Sequence, residues 1–334
     1  MNLIERYVVY IRDIRRYSGR TVQLYADALQ RFVTYVTRES GVSVEISDDE
    51  LLQALNRSEI RSYEVSLMNS RPPLQPKTVN LHISVISGFC NYLVKEGYLV
   101  SNPVRLVPRP KVEKRLPEFY RTEAMEAYFK FTSNVADEDS LAAFVLNPES
   151  RSAKKAYNDR LSRLIISMLY SLGLRRSELI GLDVGNVDFG RKIVKVHGKG
   201  DKTREIPLIL SLSEEILLYL KAVEALCGGK RSLTDPLLVT YGGRRLYPAY
   251  VDKTVKSELG DREGITGRRS PHVLRHSLAT TLLDQGSDLN SIKELLGHSS
   301  LAATQVYTHN SIARLKNIYE QAHPRAKNGG KHGD

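Results

Sequence analysis

The chain has 334 residues, 41% of them hydrophobic and 26% charged, which is the balance of an ordinary soluble globular protein with material for about two domains. No stretch approaches the roughly 18 uncharged apolar residues that a membrane helix needs, and the N-terminal "MNLIERYVVYIRDIRR" carries charges through its apolar residues; the expectation is no signal peptide and no membrane span. Cys90 and Cys227 are too few and too far apart for a disulfide framework or a thiolate metal site, as expected in a reducing cytoplasm, and a net charge of +11 suits a polyanion such as nucleic acid, though a basic enzyme with solvated lysines has the same balance.

In chain order, the first hundred residues predict helices. Ser18 is placed to cap a helix whose apolar residues Val22, Tyr25, Leu29, Phe32, Val33 and Val36 recur near every 3.6 positions. A second helix carries Val79, Ile83, Ile86, Phe89 and Leu93 on one face and stops before Gly97 and Pro103. This is a small helical bundle over 1–108. Its polar residues Thr21, Lys77, Thr78 and His82 are candidate phosphate contacts, although such residues at helix starts also serve as caps or solvated face. The stretch "RLVPRPKVEKRLP" then holds two internal prolines and the basic residues Arg105, Arg109, Lys111, Lys114 and Arg115, so it resists helix formation and stays positive. Residues 109–117 read as a basic linker along an anionic partner, with a merely solvated tether as the plainer alternative.

Residues 118–334 predict a second domain. Leu161, Leu164, Ile165, Met168, Leu169 and Leu172 form one helical face that ends at Gly173, and "RKIVKVHGKGDKTREIPLIL" alternates like a hairpin around a Gly-Lys-Gly-Asp tip. Ser270 is expected to cap a further helix with Pro271 at its first position, closed by Gly286, and another helix begins after Asp288 and stops at Gly297. The class is α+β, mostly α. Residues 132–160, locally acidic and then basic, have no functional account.

Candidate reactive side chains gather at helix ends and at the hairpin tip: Arg175, Arg176 and Glu178 in "GLRRSELIGL", Lys199 at the tip, His272 and Arg275 in "PHVLRHSL", then His298 and Tyr307 in "GHSSLAATQVYTHN". His272 and His276 have the spacing of a zinc pair, but no adjacent glutamate or nearby cysteine completes a metal site. "GKGDKT" lacks the glycine of a nucleotide-binding loop, and no Gly-x-Ser-x-Gly turn supports a hydrolytic triad. Arginine forks hold phosphate oxygens and stabilise the charge that builds on a phosphodiester under attack. Lysine can protonate a departing sugar oxygen, and nearby cations with a proton acceptor lower the cost of forming a tyrosine phenolate.

This set, in this order, resembles the tyrosine recombinases (phage integrase family), most closely the bacterial Xer site-specific recombinases. The resemblance rests on "GLRRSEL", "VHGKGDKTREIPL", "PHVLRHSLATTLL" and "LLGHSSLAATQVYTH", with "YLVSNPV" before the linker and "YEQAHPRAK" near the C-terminus, and covers essentially the whole chain. Residues 132–160 are longer than the usual Xer connection, and Arg176 stands where an aliphatic residue is more common. The resemblance implies a SAM-like core-binding domain and a helical catalytic domain with a small antiparallel sheet, clamping double-stranded DNA. It makes Tyr307 the nucleophile that forms a 3'-phosphotyrosyl link, with Arg175, Arg275 and His298 stabilising the transition state. Lys199 becomes the general acid, His272 the general base, and Glu178 the support of the arginine box. No metal or other cofactor is implied. The implied assembly is a homo- or hetero-tetramer working through a Holliday junction, with a C-terminal exchange helix around "IARLKNIYEQAH". Chromosome or plasmid dimer resolution in the nucleoid, with an FtsK-type DNA translocase as a further partner, is the implied setting. A mobile-element integrase, a type IB topoisomerase and a noncatalytic DNA-binding protein are the competing readings.

Overall fold

The computed structural model describes residues 1–38, 46–113, 118–136, 150–198 and 202–297. The chain divides into two compact units, Met1–Arg115 and Leu116–Asp334.

The first unit is helical. Helix α1 (Leu3–Val9) runs into a π-helical turn (Tyr10–Ile14) and is followed by α2 (Gly19–Thr37), α3 (Asp48–Ala54), α4 (Arg57–Met68), α5 (Pro76–Lys95) and a 3₁₀ turn (Pro103–Leu106). Four of the α-helices start on a short polar side chain: Asn2, Ser18, Ser47 and Asn56 each accept a backbone N–H of the first turn. Such a bond satisfies one of the donors a helix start leaves orphaned. The predicted apolar faces form the core. Leu29, Phe32 and Val33 of α2 and Val79, Ile83, Ile86, Phe89 and Leu93 of α5 are buried with Leu3, Tyr7, Ile11, Ile60 and Tyr63. Each large side chain removed from water contributes about 2 kcal/mol before entropy is counted. Buried Asn102 fastens the last turn to α5, donating to Ser87 O and Oγ (both 3.0 Å) and Asn91 Oδ1 (2.8 Å) while accepting Val104 N–H (3.0 Å).

The second unit comprises α6 (Thr122–Phe131), α7 (Arg151–Ser171), α8 (Arg176–Gly181), a small sheet, α9 (Leu210–Cys227), α10 (Pro248–Glu258), α11 (Pro271–Asp284) and α12 (Leu289–Leu296). The sheet is antiparallel, in the order β1 (Val187–Asp188), β2 (Ile193–His197), β3 (Thr203–Pro207), and β2 pairs with β3 from Ile193↔Pro207 to His197↔Thr203. The expected hairpin is therefore present. Helix α7 differs from expectation: Ile166 and Tyr170 are buried along with the expected face, because α9, α10 and α11 all pack around it. A helix surrounded by others is apolar on more than one side. Its first turns, from Arg151, absorb the end of the segment left without an account. At the start of α11, Ser270 occupies the cap position and Pro271 the first turn, but the Ser270 hydroxyl makes no capping hydrogen bond. Asp288 does cap α12, accepting from Asn290 and Ser291 N–H, and Gly297 ends it in the left-handed conformation at φ +65°.

Candidate active site

The site is assembled where four elements end. Arg175 is the residue before α8, Glu178 lies in the first turn of α8, Arg275 in α11, and Arg204 on β3. Their hydrogen bonds converge on the last carbonyls of α12. Arg204 Nε donates to Leu295 O (2.9 Å), Arg275 Nη2 to Leu296 O, and Arg175 Nη2 to Gly297 O (2.9 Å). A helix C-terminus leaves such carbonyls without intrahelical partners and carries partial negative charge, so three guanidinium groups from three elements are a chemically matched cap.

Glu178 is the counter-ion. Its carboxylate accepts Arg175 Nη1 (2.6 Å) and backbone N–H (2.8 Å) and both terminal nitrogens of Arg204 (3.0 and 2.8 Å). Burial raises its pKa, but the hydrogen bonds and charge of Arg204, reinforced by Arg175, outweigh that and hold the carboxyl at about 2. Arg275 is pulled down to about 10 by burial and then by Arg175, so it remains charged at neutral pH. Three guanidinium groups against one carboxylate leave two positive charges uncompensated, which matches a phosphodiester acquiring a second negative charge during attack. The exposures differ in kind: the Arg204 and Glu178 side chains are 5% and 3% exposed, whereas that of Arg175 is 32% exposed. Arg175 therefore has surface to offer a ligand, and Arg204 has almost none.

Three glycines bring neighbouring positions to the same cluster. Arg275 Nη1 donates to Gly173 O (2.6 Å); Gly173 stands at φ +58°, and a Cβ there would lie 2.5 Å from Leu296 Cδ2. The base of the β2–β3 tip is closed by Gly198 N–H to Lys202 O (2.7 Å) and by Thr203 Oγ1 with His197 Nδ1 (3.1 Å). A Cβ on Gly198 would sit 3.7 Å from Arg204 Nη1 and 3.8 Å from Glu178 Oε1, and one on Gly297 3.1 Å from Arg204 Nη1. The residues immediately before Lys199 and His298 thus both lie against the arginine cluster.

Of the residues singled out in sequence, Arg175, Glu178 and Arg275 come together. His272 is exposed one turn before buried Arg275. Lys199, His298 and Tyr307, with Lys114 and Arg115, lie outside the described residues. Arg176 turns from the cluster to pair with Asp252. In the first unit, Lys77 and Lys111 are exposed and Thr78 is half-buried. Thr21 Oγ1 shares a hydrogen bond with the cap hydroxyl of Ser18 (2.8 Å). His82 Nδ1 meets Tyr63 Oη (3.3 Å), and burial, then Arg31, lowers its pKa. Arg109 donates to Asn80 O (3.0 Å) and Ser84 Oγ (2.9 Å), while Asn80 donates to Pro110 O (2.9 Å), so the first linker residues are fastened to α5. Arg204 is absent from the candidates drawn from sequence. Its signal was the period of β3: it shares the inward face with Ile206, and an arginine facing a core needs a carboxylate. Among the described residues, no group of three or more His, Cys, Asp or Glu could hold a metal ion, and no helix is long and apolar enough to cross a membrane.

Comparison with known proteins agrees with this architecture. The XerH site-specific recombinase bound to its difH substrate superposes with a TM-score of 0.60 at 18% identity, covering 95% of this chain and 80% of that one. The Tn1549 transposon integrase in complex with transposon right end DNA also gives 0.60 at 18% identity, covering 98% and 97%. Both likenesses are of fold. In sequence, the chain is 31% identical over 327 residues to tyrosine recombinase XerC of Chlorobaculum tepidum, covering 96% of this chain and 94% of the relative. It is 30% identical over 324 residues to tyrosine recombinase XerD of Staphylococcus aureus, covering 97% and 99%. The Phage integrase family signature matches residues 136–314. The chain belongs to the phage integrase family and is a tyrosine recombinase.

Proposed function

We propose that this recombinase cuts and rejoins DNA at a specific site through Tyr307, using the arginine cluster as the phosphate-binding centre. The Tyr307 phenolic oxygen attacks the scissile phosphorus, His272 takes its proton, and the bond from phosphorus to the 5' oxygen breaks as Lys199 protonates that oxygen. The product is a 3'-phosphotyrosyl link and a free 5'-hydroxyl; attack by a 5'-hydroxyl from another strand reverses the step. The phosphodiester's energy is kept in the covalent link, so rejoining needs no nucleotide. Arg175, Arg275 and His298 hold the nonbridging oxygens, and Glu178 holds Arg175 in place. The observation that carries this reading is the excess of two positive charges among Arg175, Arg204, Arg275 and Glu178, beside the residues that precede Lys199 and His298.

The first unit and the linker contribute DNA contacts through Thr21, Lys77, Thr78, His82, Arg109, Lys111, Lys114 and Arg115. Exposed Lys77 and Lys111 support this most directly. Four protomers, of this chain alone or with a paralogue, assemble on two sites and exchange strands in pairs through a Holliday junction. XerC and XerD relatives matched over nearly their full length support chromosome or plasmid dimer resolution in the nucleoid, during chromosome partition and cell division, with an FtsK-type translocase as a further partner. The test uses a supercoiled plasmid carrying two direct copies of a duplex that the protein itself selects from a random-sequence library. Two smaller circles formed without added nucleotide are expected. Relaxation without recombinant circles would favour a topoisomerase, and binding without cleavage a noncatalytic protein.

A further inference from the structure

Arg204 touches more of the site than either candidate catalytic arginine. It binds both oxygens of Glu178, donates to Leu295 O, and lies beneath Gly198 and Gly297, from which the chain continues to Lys199 and His298. Its burial leaves it little surface with which to meet DNA. Arg175 makes a parallel bridge, from the same carboxylate to Gly297 O, with a partly open side chain. The division of labour follows from charge. Were Glu178 paired with Arg175 alone, the carboxylate would neutralise the open guanidinium and draw its fork inward. A second, buried guanidinium shares the carboxylate and leaves Arg175 with charge and N–H groups to give a phosphate.

We infer that Arg204 is a positioning residue of the recombination reaction: through Glu178, Leu295 O, Gly198 and Gly297 it fixes the first-arginine box, the base of the β2–β3 hairpin and the end of α12 relative to one another, and it keeps Arg175 available to the scissile phosphate. The inference rests on the reading of Tyr307 as nucleophile at this cluster. Lysine cannot replace Arg204, because an ammonium has no fixed fork with which to span two carboxylate oxygens and a carbonyl together.

The test measures single-turnover covalent adduct formation on a nicked duplex carrying the selected sequence, with full-length protein saturating the DNA. Arg204→Lys, Arg204→Gln, Glu178→Gln and the double variant Glu178→Gln/Arg204→Gln are compared, with binding to the same duplex measured separately. A residue that only stabilises the fold lowers the fraction of active protein, seen as amplitude; a positioning residue lowers the rate constant. The expected result is a rate constant reduced by about 10- to 100-fold in both Arg204 variants, with DNA affinity within about threefold of wild type. Adding Arg204→Gln to Glu178→Gln should cost far less than it does alone, since the two act as a unit. A wild-type rate constant, a loss confined to amplitude or affinity, or multiplicative effects with Glu178→Gln would each overturn the inference. If Arg204→Gln does not fold, Arg204→Lys decides by the same criteria, and failure of both to fold assigns Arg204 to the fold alone. A Tyr307→Phe control separates the two claims: adduct from that variant removes the underlying reading, whereas its absence alongside wild-type rates for the Arg204 variants removes only the inference.

Discussion

Glu178 is the acceptor that Arg175 and Arg204 share. Both of its oxygens are used by guanidinium groups, and its side chain is 3% exposed. Glu178→Gln removes the charge that compensates buried Arg204, so it should destabilise the second unit by about 3 to 5 kcal/mol, read as a lowered urea midpoint. The carboxyl is held at about 2 from an ordinary 4.5. A depressed acid contributes stability above its unfolded pKa and loses it as pH falls through the folded one. Melting temperatures taken from pH 5 down to pH 2 should therefore fall more steeply in wild type than in Glu178→Gln; parallel curves would show that this carboxylate is not the linked group. At this scale the sequence was partly legible. Arg175, Glu178 and Arg275 were readable from their boxes, but Arg204 was hidden because its partner Glu178 is 26 residues away and only the inward position on β3 marked it.

The elements hold the site through their ends. Gly173 ends the α7 connection at φ +58°, aims its carbonyl at Arg275, and leaves no room for a Cβ beside Leu296 and Leu278. Gly173→Ala combines a left-handed conformation with overpacking, for an expected cost of about 2 to 3 kcal/mol and a slower cleavage step; a variant as stable as wild type would contradict the close approach. In the first unit, Asn102→Ala strands the Val104 amide and should lower unfolding free energy by about 2 kcal/mol in urea titration. Helices with a clean apolar period, such as α5, were legible in sequence, as was the β2–β3 hairpin from its alternation. Strand β1, only two residues long, gave no period to read. Helix α7 looked one-sided because an apolar pattern does not tell how many neighbours a helix will have; here three helices cover it.

Across the whole molecule, the net charge of +11 is the widest signal: +6 of it lies in residues 116–334, and +4 of the +5 carried by residues 1–115 falls in 105–115. Binding to duplex DNA should weaken steeply with salt through counterion release, and Lys111→Gln should reduce the slope of log K against log salt by about 1. Arg109→Gln is expected to act differently, loosening the 109–110 segment from Asn80 and Ser84 in addition to removing a charge. The order of helices, small sheet and helices was legible from punctuation by Gly, Pro and capping residues. The meeting of β3, α8, α11 and α12 at one point was not, because it depends on contacts as long as the 122 residues between Arg175 and Gly297. In the proposed reaction the arginine cluster serves a covalent step through Tyr307. The most direct test incubates wild type and Tyr307→Phe with a duplex nicked beside the scissile phosphate and resolves covalent protein–DNA adducts on a denaturing gel. Adduct with wild type and none with Tyr307→Phe is the expected result; equal adduct from both would contradict the account.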